Sequence, residues 1–111
     1  MTDRIDTVFR ALAHPLRREV LGLLSRREDD VAELSELAEL LRDVREGRTD
    51  EQLRVALHHN HLPILREAGL IEYDARTGTV RYRASPPATE LVSAALESDA
   101  SRAPEQTTGG A

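Results

Sequence analysis

The sequence has no cysteine, no tryptophan and no lysine, and aromatic residues fill only 3% of its 111 positions. Without cysteine, disulfides, thiolate zinc sites and thiol chemistry are excluded. With so few rings, a core has to be built from Leu, Val, Ile and Ala. The 40% apolar content is enough for one domain of this length. Long hydrophobic runs are also missing. The opening stretch, residues 1–15, carries Asp3 and Asp6 and no apolar segment of the length that a secretion signal or a membrane span needs. The expectation is a cytoplasmic protein with no membrane association. Because lysine is absent, all fifteen basic residues are arginine, and twenty acidic residues bring the net charge to -5. An acidic surface with Arg in place of Lys suggests adaptation to high salt. In ~1 M salt the Debye length is roughly 3 Å, so such a surface repels a polyanion only at very short range.

The charge is unevenly spread. Residues 88–111 hold four acids against one arginine, whereas residues 75–87 hold three arginines and no acid. Charge favourable to a polyanion is therefore local, and it sits in the second half of the chain.

Ile5, Val8, Phe9 and Leu12 have the i, i+3, i+4, i+7 spacing of one helical face, with Asp3 placed to cap the helix. His14-Pro15 interrupts it, and Pro15 suits the first position of a second helix lined by Leu16, Val20, Leu23 and Leu24. Residues 25–30 read as a polar connector. Ser35 is placed to cap a third helix, from Glu36 to about Glu46, with the stripe Leu37, Ala38, Leu41 and Val44. After a loop over residues 45–50, capped by Thr49 or Asp50, a fourth helix is predicted from Glu51 to about Ala68. Pro63 lies inside it and should kink it, and Gly69 should stop it. The period then becomes alternating. Residues 70–74 and 79–83 are strand candidates joined by a turn in which Gly78 supplies a positive φ. Ile71, Tyr73, Val80 and Tyr82 should face the core, with Arg81 and Arg83 on the outer side. A last amphipathic helix carries Ala88, Leu91, Val92, Ala95 and Leu96. The expected division is one domain over residues 1–97 and a disordered tail over residues 98–111.

Helices followed by an arginine-bearing hairpin form the layout of a winged helix, in which the last helix before the hairpin enters the major groove of DNA. Residues 11–18 (Ala-Leu-Ala-His-Pro-Leu-Arg-Arg), residues 35–39 (Ser-Glu-Leu-Ala-Glu), and His61-Leu62 followed by residues 65–71 (Leu-Arg-Glu-Ala-Gly-Leu-Ile) resemble ArsR-type winged-helix regulators over roughly residues 8–84. His61-Leu62-Pro63 and Tyr73-Asp74 are similar to an uncharacterised winged-helix domain family abundant in halophilic archaea. The resemblance implies a mainly α fold with a small β-hairpin (α+β), a winged helix-turn-helix with flanking terminal helices. It also implies a DNA-binding transcriptional regulator. The stretch between Ala38 and Leu62 is longer than the family's turn and recognition helix require, so its base-contacting positions are not carried over.

Side-chain chemistry supplies the candidates instead. Thr49, Gln52, Arg54, His59 and Asn60 lie in the loop and helix over about 51–68, where base edges are read. Arg48, Arg76 and Arg81 are placed for phosphates, the last two on the wing over 70–83. The expected partner is double-stranded DNA, with no cofactor and no metal. Ile5, Val8, Phe9, Leu12, Leu91, Val92 and Leu96 offer more apolar area than a small core uses. The resemblance implies that the first and last helices pair in a homodimer. No glycine-flanked nucleophile or phosphate loop frames the Ser, His and Asp residues, so an enzyme is not expected. Two alternatives stay open. One is a protein-binding winged helix, suggested by the net charge. The other is a metal-sensing repressor using His58 and His61, which would share a face of a regular helix.

Overall fold

A computed structural model describes residues 4–44 and 47–109. The chain is mainly helical with one small antiparallel sheet. Its elements are α1 (Arg4–Leu12), α2 (Pro15–Ser25), β1 (Val31–Glu33), α3 (Leu34–Val44), α4 (Asp50–Ala56), a π-helical turn (Leu57–His61), α5 (Leu62–Glu67), β2 (Ile71–Asp74), β3 (Thr79–Tyr82) and α6 (Pro86–Gly109). This is the expected α+β class, with the β2–β3 hairpin as a wing. Among the described residues no helix is long and apolar enough to cross a membrane.

Local chemistry explains the helix boundaries. His14 is the N-cap of α2: its Nδ1 accepts from the Leu16 N–H at 3.1 Å, and Pro15 occupies the first turn, where its missing donor costs nothing. Thr49 caps α4 through a reciprocal box in which its hydroxyl accepts from the Gln52 N–H at 3.1 Å. The Gln52 carbonyl oxygen in turn accepts from the Thr49 N–H at 3.0 Å. Arg42 and Asp50, 3.1 Å apart, bridge α3 to the start of α4. Pro63 would press its ring against the carbonyl four residues back in a regular helix. The chain instead widens one turn, so that the Leu62 N–H reaches the Leu57 carbonyl five residues back. The helix therefore continues from Asp50 to Glu67 through the π turn.

The core is almost entirely aliphatic. Val20, Leu21, Leu24, Leu37, Leu41, Leu53, Leu57, Leu62, Leu65 and Val80 are all buried, and Ile71 and Tyr73 close the sheet side. β3 lies in the middle of the sheet, paired with β1 through Val31↔Arg81 and Ala32↔Val80, and with β2 through Glu72↔Arg81 and Tyr73↔Val80. Gly78, at φ +79°, forms the wing turn, and its carbonyl accepts from the Leu34 N–H at 2.8 Å. The wing is thus tied to the first residue of α3.

Three expectations need correction. β1 falls where the sequence reading assigned no element: only Ala32 of its three residues is buried, too little for alternation to register. α3 begins at Leu34, not after Ser35, and its open end is served by Glu36, whose carboxylate accepts from the Glu33 N–H at 3.4 Å. α6 runs on beyond residue 97 to Gly109. The Asp99 carboxylate anchors that extension on Arg18 at 2.8 Å. Val8, Leu12 and Val92, expected at a dimer surface, are 2%, 7% and 1% exposed and belong to the chain's own core. The Asp3 cap, Arg45, Glu46, the Val44 side chain and the last two residues of the expected tail lie outside the described residues.

The Gly78 turn provides a stability test. A methyl group at this position would meet Leu34 Cβ at an ordinary 3.8 Å, so the cost of Gly78→Ala comes from the positive φ alone. A loss of about 1–2 kcal/mol is expected in urea denaturation, and an unchanged midpoint would contradict the turn.

Candidate nucleic-acid interface

The candidate surface is built around α4, the π turn and α5. Leu53, Leu57, Leu62 and Leu65 point inward and are fully buried, which leaves Glu51, Gln52, Arg54, Val55, His59 and Asn60 exposed on the other side. Arg48 and Thr49 precede them and are exposed, as are Arg76 at the wing turn and Arg81 on its outer face. All eight residues chosen from the sequence therefore lie on the surface. Three are already engaged: Thr49 and Gln52 cap each other, with the Gln52 carbonyl oxygen held by the backbone, and Arg81 is paired with Glu72.

On the inner side, His61 is 4% exposed and Arg17 is 7% exposed. Arg17 Nε donates to the Ala11 carbonyl at 2.7 Å and Nη2 to the Arg10 carbonyl at 3.0 Å, while Nη1 lies 3.4 Å from His61 Nδ1. Arginine can only donate, so His61 accepts at Nδ1 and carries its proton on Nε2. The neighbouring Arg18 donates to the Leu12 carbonyl at 2.7 Å. Two guanidinium groups thus satisfy the last carbonyls of α1, the end of a helix that favours positive charge. The His14 ring packs on His61 with centroids 4.5 Å apart. Burial, and after it the charges of His14, Arg17 and Arg48, lower the His61 pKa to about 4. The ring is therefore neutral at ordinary pH.

His58 faces the opposite way. Its Nδ1 lies 2.7 Å from the Tyr73 hydroxyl on β2, and the two rings meet edge to face at 5.9 Å. Burial pushes the Tyr73 phenol above its usual value, so the hydroxyl keeps its proton. The contact fixes the helix to the wing. A regular helix would have brought His58 and His61 to one face. Here one goes to the wing and the other to α1 and α2, and no three potential ligands converge on a metal position among the described residues.

The wing carries less free positive charge than its local sequence suggests. Glu72 lies opposite Arg81 in the strand register, 3.8 Å from Arg81 Nε and 2.8 Å from Arg83 Nη1. The stretch over residues 75–87 has no acid of its own, but the adjacent strand supplies one. Arg66 of α5 shares a shallow groove with Tyr73, Asp74, Thr77 and Arg81, which extends the arginine surface from the wing to the helix. Neither Arg66 nor Glu72 was singled out from sequence, because both owe their place to strand pairing and helix packing.

Ile5 and Phe9 on α1 are each 53% exposed, and Phe9 lines a groove with Leu91, Ala94 and Ala95 of α6. Leu91 and Leu96 are half-buried against the core. Of the seven residues expected at a dimer surface, Ile5 and Phe9 are the open ones, with Leu91 at the groove between them and α6.

Residues 9–81 match the family model described as "Domain of unknown function (DUF7344)". The chain belongs to this family. No curated protein and no solved structure matches the chain. The DUF7344 match takes in the Arg17–His61 junction, α3, the whole of α4 to α5, and the wing down to Arg81. It stops short of α6.

The buried imidazole gives a pH test. In the folded chain His61 stays neutral down to about pH 4, whereas in the unfolded chain it takes up a proton near the usual 6.5. The contribution is complete above pH 6.5 and is lost as pH falls toward 4, by at most about 3 kcal/mol. His61→Gln, which keeps an acceptor for Arg17, should flatten the denaturation-midpoint profile over that window. An equally steep profile in the variant would contradict the assignment.

Proposed function

We propose that this DUF7344 chain is a cytoplasmic, homodimeric winged helix-turn-helix regulator that binds double-stranded DNA and has no enzymatic activity. α4 to α5 enters the major groove, and the β2–β3 wing lies along the flanking backbone. The observation that carries the reading is the arrangement of one long helix, fixed on its inner side by Arg17 and on its wing side by Tyr73. That helix leaves Arg54, His59 and Asn60 outward, with Arg48 before it and the Arg76 turn beyond. A rigid cylinder bearing polar side chains, with cations at either end, meets the requirements of base reading and phosphate contact. The open Ile5 and Phe9 face of α1 supports pairing of two copies, which would present two such helices to a two-fold site.

Binding to random and promoter duplexes should be measured over a series of salt concentrations. Sequence preference is expected, with affinity falling linearly in log[salt] in proportion to the phosphates neutralised. Arg81→Ala should weaken all sequences alike and reduce the salt slope by about 1, whereas Arg54→Ala should cost about 1–3 kcal/mol at one position and relax preference there. Glu72→Gln, which releases Arg81 and Arg83, should strengthen binding to every sequence. Absence of sequence preference at every salt concentration would overturn the reading.

One observation favours a second reading. Glu72 pairs with two wing arginines in a chain of net charge -5, which suits a winged helix that docks on a protein. A stoichiometric protein partner on purification, together with no DNA binding, would decide for it.

A further inference from the structure

Three large apolar side chains are exposed among the described residues: Ile5 and Phe9 on α1, and Val55, 48% exposed, on α4. Val55 stands apart from the other two. It lies one turn after Glu51 and Gln52 and one turn before His59, in the middle of the outward face. It lines a shallow depression with Gly47, Arg48, Glu51, Gln52 and Ala56. Gly47, Val55 and Ala56 give that depression an apolar part, beside the polar Arg48, Glu51 and Gln52. A β-branched apolar residue on the wet side of a helix adds neither helix propensity nor core packing. The chain otherwise covers itself with charge, at 32% of its residues.

We propose that Val55 is a specificity-determining residue that packs against the C5-methyl group of a thymine in the major groove. The inference rests on the DNA-binding reading of the same helix and narrows its ligand to duplexes with a thymine at one fixed position. Three features support this occupant. The thymine methyl is the one apolar group that a base pair presents in the major groove, and apolar side chains are its complement. Gln52 is the neighbour best suited to an adenine, but its carbonyl oxygen is held in the Thr49 cap, so a two-bond contact there would have to break the cap. Arg48, which lines the same depression, is placed to hold the adjoining backbone while Val55 meets the base.

The test uses chemistry that removes only the methyl group. Duplexes that the protein selects from a random pool are resynthesised with each thymine replaced in turn by deoxyuridine. Wild-type protein is expected to lose about fourfold in affinity at one position per half-site, the equivalent of the roughly 0.8 kcal/mol for one buried methylene-sized group. Val55→Ala, an exposed substitution that leaves the core untouched, should lose a similar factor on the thymine duplex. It should show no further loss on the deoxyuridine duplex. If the protein selects a site but no deoxyuridine substitution changes its affinity, this inference is overturned and the DNA-binding reading stands. The same holds if Val55→Ala loses affinity on both duplexes equally. If the protein selects no site, both are overturned.

Discussion

The arrangement depends on where the Arg17 guanidinium is placed. A buried cation is costly unless its donors are satisfied, and here they reach two carbonyls at the end of α1 and the imidazole of His61. One side chain thereby joins the C-terminus of α1, the body of α2 and the π turn in the middle of the long helix. The acceptors are neutral, and they sit at the helix end that favours positive charge. Charge, helix end and imidazole stabilise one another only in this geometry. The His61 ring has to stay unprotonated for the arrangement to hold.

The remaining placements follow from that junction. With His61 turned inward, the π turn required by Pro63 sends His58 toward β2, where Tyr73 receives it. The helix is then held on two sides, and the surface left over contains Arg54, Val55, His59 and Asn60. The wing is held in turn by the bond from Leu34 to Gly78 and by strand pairing with β1. A rigid helix and a fixed hairpin are what a groove-reading module requires, because contacts that must be ordered on binding cost affinity. The acidic remainder of the chain works against nucleic acid at low salt, and Glu72 restrains two of the wing arginines. Affinity should therefore depend on a small number of well-placed cations.

What could be read from sequence was mainly local. The His14-Pro15 break, the Thr49 cap, the stop at Gly69 and the hairpin around Gly78 are all set by interactions within a few residues, and all are present. Alternation correctly placed Ile71, Tyr73 and Val80 inward. The misses share one cause, a partner distant in sequence. β1 is a strand only because β3 lies beside it. Glu72 cancels wing charge only through the register opposite Arg81. His61 entered the sequence reading as a metal-ligand alternative, whereas its contact is Arg17, forty-four residues earlier. Val8, Leu12 and Val92 looked like surplus apolar area because the packing of α6 on α1 and α2 has no signature in the spacing. Val55 carries no sequence signal of its exposure, since an apolar residue in a helix ordinarily points to the core.

The central claim is that one continuous surface, from Arg48 through Asn60 to the wing turn, meets DNA. Amide chemical-shift mapping of the protein with and without a selected duplex addresses it residue by residue. The account predicts that perturbations cluster over residues 48–60 and 75–81, while the buried junction at Ala11, Arg17 and Leu62 stays unchanged. Perturbations confined to α1 and α6, or spread evenly over the chain, would contradict it.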